Sequence, residues 1–123
     1  MMRASVRQTI LNKLNEGAIV AYEHPDATRW ADGDYLTGII RVNRATYFGS
    51  AFAQGANFAF TLAHEWGHLV QWGDLPAEAK RRLSEQYESD PVWYDAWENN
   101  ADQLACWALL PAARPQVRVR SCR

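Results

Sequence analysis

Five consecutive residues, His64-Glu65-Trp66-Gly67-His68, carry the first chemistry this chain can be read for. Two imidazoles stand four residues apart, and a carboxylate directly follows the first. On an α-helix, residues i and i+4 share a face with Cβ atoms about 6 Å apart. Zinc takes imidazole nitrogens at about 2.0–2.1 Å, so one ion can bridge His64 and His68 without bending the helix. Glu65 lies about 100° further round the helix and can reach a water beside that ion as a general base. The pattern is that of a zinc-dependent hydrolase, provided the chain adds a third protein ligand and leaves the fourth position open.

Two carboxylates compete for the third place. Asp74 follows His68 by six residues, the spacing of the long metzincin motif. That motif turns out of the helix at a glycine, where this chain has Gln71, and it needs a methionine beneath the metal, whereas the only methionines here are Met1 and Met2. Glu98 is the better candidate, because it falls on a helix of its own with Asp102 one turn later on the same face. A carboxylate ligand followed by an acid at i+4 can both bind the ion and accept the free N–H of a ligating histidine.

The elements that must hold these groups can be read from periodicity. Val6, Ile10, Leu11 and Leu14 recur at helical spacing up to Gly17, and the apolar segment Ala18 to Tyr22 reads as a buried strand. Residues Thr28 to Ala31 and Tyr35 to Val42 flank Asp32-Gly33-Asp34, a plausible hairpin turn, and Ser50 to Ala56 reads as loop. From Asn57 to Trp72 the apolar residues go nearly all round, which marks a buried helix. Within it, Gly67 either admits another backbone or is merely tolerated. Asp74 and Pro76 introduce a helix with Ala79, Leu83 and Tyr87 as its stripe and Glu78–Arg82 as an exposed pair. Asp90-Pro91 caps a last helix running to Leu110, with Trp97, Ala101, Leu104 and Ala108 inward. These elements imply an α+β fold, a small antiparallel sheet of about three strands packed on three or four helices.

Composition narrows the class further. A chain of 123 residues is one domain, here 1–112, followed by a basic tail, 113–123. The net charge of −1 excludes a nucleic-acid-binding polycation. Arg114, Arg118, Arg120 and Arg123 crowd the tail, which reads as a solvated, frayed terminus or a docking patch for an acidic partner. The opening MMRASVRQTI has no apolar run suited to a signal peptide or membrane span. Cys106 and Cys122 form no disulfide framework, so a reducing, cytoplasmic setting is expected, with Cys106 a small buried filler. His24, before Pro25, reads as a loop residue.

The segment NFAFTLAHEWGHLVQW resembles the active helix of the ImmA/IrrE family of small gluzincin-type, zincin-like metallopeptidases, and WENNADQLACWALLP resembles that family's second motif. The likeness covers about residues 36 to 112. It implies His64, His68 and Glu98 as zinc ligands, Glu65 as catalytic base and Asp102 as the supporting acid. It also implies cleavage of a cytosolic regulatory protein, such as a helix-turn-helix repressor. Asn100, Leu104 and Trp66 depart from the family's pattern without removing a ligand. Donors for a developing oxyanion could be Tyr47, Tyr87, Tyr94 or Arg41, and the strand around Tyr35 to Val42 could bind an extended peptide at a sheet edge. The contrasting expectation is a non-hydrolytic domain that regulates a partner by contact. Retention of Glu65 favours the enzyme, since a purely structural zinc has no use for a free carboxylate beside it.

Overall fold

The computed structural model describes residues 2–26, 31–34, 37–44, 56–73, 75–117 and 122. Along the chain come α1 (Ala4–Asn15), β1 (Ile19–Tyr22), β2 (Ala31–Asp34), β3 (Ile39–Asn43), α2 (Ala56–Trp72), α3 (Ala77–Ser89) and α4 (Pro91–Ala108), then a 3-10 turn at Arg114–Gln116. The fold is α+β, as the periodicity implies. Expectations placed on residues 27–30, on Tyr35 and Leu36 at the start of the second expected strand, on the Ser50–Ala56 loop up to residue 55, and on Tyr47, Asp74, Arg118, Arg120 and Arg123 lie outside the described residues.

The sheet is mixed rather than antiparallel, with strand order β1-β3-β2. Strands β2 and β3 run antiparallel with Asp34 opposite Ile39, whereas β1 runs parallel to β3 with Ile19 opposite Ile40. The reason lies in β3, which has the densest β-branched content and takes the centre. Its Ile40 and Val42 are buried against Phe58, Leu62 and Leu69 of α2. Asp32-Gly33-Asp34 is strand, not turn. Asp32 stands opposite Arg41, and their side chains pair at 2.6 Å, which keeps an acidic residue on the ladder. The reversal ends at Gly38, whose φ of 72° suits glycine. A peptide cannot add to β3, within the region where peptide binding is expected, because β3 is paired on both sides; among the described residues the edge strands are β1 and β2.

Of the four apolar residues read in α1, Val6 and Ile10 face the core while Leu11 and Leu14 are exposed. The helix lies over the main cluster, where Val6, Ile10, Phe60, Ala63, Ala105 and Leu109 meet. Fully burying each large member stabilises by about 1.5–3 kcal/mol. Helix α3 shows the Glu78–Arg82 pair on its solvent side at 3.2 Å. Helix α4 starts where the sequence implies, with the Asp90 carboxylate accepting from the backbone N–H groups of Val92 and Trp93. It stops at Ala108, two residues short of expectation, because Leu109 turns extended and bridges to Met2.

Within the tail, Ala113, Val117 and Cys122 are packed rather than frayed. Ala113 and Val117 are buried, Arg114 Nε donates to the Cys106 carbonyl at 2.8 Å, and Cys122 returns to form a disulfide with Cys106 across a Cα–Cα distance of 5.1 Å. The reading of two reduced cysteines is corrected accordingly. The two cysteines stand 16 positions apart in the sequence, a spacing that gives no local signal of pairing.

Helices α2 and α4 pack closely at Gly67. A Cβ on Gly67 would sit 3.2 Å from the Ala101 carbonyl oxygen and 3.3 Å from Leu104 Cβ. The buried alanines 101, 105 and 108 keep the facing surface of α4 equally thin. Gly67 is thus the residue of close approach, and Gly67→Ala is expected to give a net loss of up to about 2 kcal/mol. Overpacking of roughly 1–3 kcal/mol outweighs the roughly 1 kcal/mol gained in helix propensity. Urea denaturation checks this; a variant more stable than the parent would contradict it.

Candidate metal centre

Helix periodicity sets the positions of the groups. His64 and His68 are one turn apart on α2, and Glu98 and Asp102 are one turn apart on α4. The thin Gly67–Ala101 crossing brings the two faces together. His64 Nε2 lies 3.0 Å from His68 Nε2 and 3.0 Å from Glu98 Oε2, and His68 Nε2 lies 3.3 Å from Glu98 Oε1. Tetrahedral bonds of about 2.0–2.1 Å put neighbouring ligand atoms about 3.3 Å apart, so the three atoms already stand close to the spacing that one ion requires. The triad can hold a metal ion. Its two nitrogens and one carboxylate oxygen suit a borderline cation.

Each imidazole is steered from its far side. His64 Nδ1 lies 2.7 Å from Asp102 Oδ1, within hydrogen-bond distance. His68 Nδ1 donates to Gln71 Oε1 at 2.8 Å, and Gln71 Nε2 reaches the Trp97 carbonyl and Asn100 Oδ1. The Tyr87 hydroxyl donates to Glu98 Oε1. Of the three donor candidates among the described residues, Tyr87 is the one at the cluster. Tyr94 packs against the Tyr87 ring at 4.6 Å, and Arg41 pairs with Asp32 on the sheet. His24 is a loop residue, its Nδ1 accepting from the Asp26 N–H. Trp66 stacks on Trp107 with rings 16° from parallel, which gives that departure from the family pattern a packing role.

Gln71 and its link to α4 were missed in the sequence, where Gln71 counted only as a missing glycine. Its position three residues after His68, on the same helical face, was the available signal. Nothing in the sequence paired Tyr87 with Glu98 in particular.

Electrostatics follow from burial. Glu65 is 5% exposed and His68 2% exposed. Burial pushes the Glu65 carboxyl above the usual carboxylate range, opposed by the two nearby imidazoles. For Glu98, burial is outweighed by hydrogen bonds from His64, His68 and Tyr87, which hold it below that range. For His64, burial disfavours the charged ring, but the hydrogen bonds to Asp102 and Glu98 prevail and lift it to about 10. A cavity of about 350 Å³, lined by Tyr87, Glu88, Pro91, Tyr94 and Asp95, shares the Tyr87 wall with the cluster.

Comparison with family models, with curated proteins and with solved structures finds no match for the chain. The metal-centre reading therefore stands on this geometry.

A pH dependence follows. The folded value of His64, about 10, lies above its ordinary 6.5. Its proton therefore stabilises the metal-free fold fully below about pH 6.5, and that contribution is lost as pH rises through about 10. A metal ion must displace the same proton. Calorimetry of zinc binding near pH 7.5, in buffers of different ionisation enthalpy, is expected to report release of about one proton from the protein. A binding enthalpy independent of buffer would contradict the assignment.

Proposed function

We propose that the chain is a zinc-dependent peptidase of the gluzincin type, acting on a peptide bond in a protein substrate. The observation that carries this reading is the convergence of His64 Nε2, His68 Nε2 and the Glu98 carboxylate beside the buried Glu65. A structural site would close its coordination with protein ligands. Among the described residues, three metal-ligating side chains meet here, and a carboxylate of raised basicity adjoins them. The likeness of the two motifs to ImmA/IrrE metallopeptidases points the same way.

Zinc, when bound, supplies Lewis acidity toward a carbonyl oxygen and a water molecule. The protein's own groups do the rest. Glu65 takes the proton from the attacking water and returns it to the leaving amine nitrogen, work suited to a carboxyl whose pKa burial has raised. Asp102 and Gln71 hold the imidazoles from behind. The Tyr87 hydroxyl, now on Glu98, is the nearest described donor for the oxygen on which charge develops. Among the described residues β2 is an edge strand; it packs against α2, and its Asp32 acts electrostatically on Glu65. An extended peptide adding to that edge would pass the base. The cavity next to Tyr87 offers room for one of its side chains.

No helix among the described residues is long and apolar enough to cross a membrane. A cytoplasmic setting would keep Cys106 and Cys122 reduced and open the tail anchor, whereas an oxidising one keeps it closed. The helix-turn-helix regulator implied by the resemblance is the first substrate to try.

The discriminating experiment uses Glu65→Gln. The variant is expected to keep one zinc per chain and to lose cleavage of a mixed peptide library by about 10²-fold or more, read by mass spectrometry. Equal cleavage by parent and variant, or none by the zinc-loaded parent, would sink the peptidase reading in favour of regulation by contact.

A further inference from the structure

We infer that Gln71 is a positioning residue that fixes which nitrogen of His68 faces the metal and ties that ligand to the backbone beside Glu98. The inference rests on reading the triad as a metal centre. Its logic is one of donors and acceptors. A backbone carbonyl has no hydrogen to give, so the contact between Gln71 and Trp97 O at 2.8 Å requires the NH₂ end of the amide on the α4 side. Asn100 Oδ1, at 2.9 Å, takes the second hydrogen. The Gln71 oxygen is then left for His68, at 2.8 Å, and it can only accept. His68 must therefore carry its proton on Nδ1 and present the bare Nε2 to the point where His64 and Glu98 converge.

The two ligating imidazoles are oriented by different chemistry. His64 leans on a carboxylate that sits 29% exposed, while His68, almost wholly buried, leans on a neutral amide. A second carboxylate at this place would lack hydrogens for Trp97 O and Asn100 Oδ1. Glutamine alone among side chains of this length offers an acceptor to His68 and two donors to α4. Trp97 directly precedes Glu98, so one amide couples the second ligand to the chain that carries the third. Groups of this kind typically change metal affinity by about 10–100-fold when removed.

The test compares the parent with Gln71→Met, which keeps volume and loses both polar ends. Zinc affinity is measured by competition with a chelating indicator, and cobalt-substituted samples are read by visible absorption. The expected result is zinc affinity about 10–100-fold weaker and a shifted cobalt spectrum, with the metal-free protein still folding cooperatively at a lowered midpoint, because His68 loses its partner. Unchanged affinity and spectrum would overturn the role of Gln71 while leaving the metal centre intact. Absence of zinc binding by the parent would overturn both. Should the variant fail to fold, ¹⁵N NMR of His68 in the metal-free parent decides: a proton on Nδ1 supports the inference, and a proton on Nε2 with Nδ1 bare overturns it. Peptide cleavage plays no part in these readouts, so its absence would count against the peptidase reading alone.

Discussion

The approach of α2 to α4 at Gly67 is the constraint on which the rest depends. Interaxial distances between helices follow the size of the side chains at the contact, and here they are a hydrogen atom and the buried Ala101. One turn along α4 in one direction lies Glu98, three residues before Ala101, and immediately after Ala101 lies Asp102. At a wider spacing Glu98 would not reach both Nε2 atoms, nor Asp102 the outer face of His64. The alanines of α4 are thus as much part of the site as its acids. They hold no ligand, yet they set the distance across which ligands meet.

That geometry concentrates polar groups where burial is costly, and the cluster answers by pairing each of them. His64 lies between Asp102 and Glu98, His68 between Gln71 and the other two ligand atoms, and Glu98 under the Tyr87 hydroxyl. Hydrogen bonds to Asp102 and Glu98 outweigh burial at His64 and hold that ring basic. Glu65 is the exception. Burial raises it, and the imidazoles only partly offset that effect. The two carboxyls thus differ in environment: Glu98 is hydrogen-bonded and held acidic, and Glu65 is buried and made basic.

The ligand set was legible because helical spacing is local: two histidines at i and i+4, and two acids at i and i+4, each define one face with no knowledge of the fold. The helices themselves were legible for the same reason, down to Asp90 as cap and Glu78–Arg82 as surface pair. What escaped was set by tertiary contact. The order of the sheet depends on β3 entering between its neighbours, which no local pattern encodes, so Asp32-Gly33-Asp34 looked like a turn when Arg41 across the ladder makes it strand. The Cys106–Cys122 bond depends on the tail folding back. Gln71 acts through the Trp97 carbonyl, a backbone atom that no sequence pattern displays.

The central claim is that His64, His68 and Glu98 hold one zinc ion. Diffraction from zinc-loaded crystals, with anomalous data on both sides of the zinc edge, tests it most directly. The account predicts a single strong anomalous peak about 2.0–2.2 Å from Nε2 of His64, Nε2 of His68 and a Glu98 carboxylate oxygen. A peak held by Asp74 in place of Glu98, or no zinc peak at the triad, would contradict it.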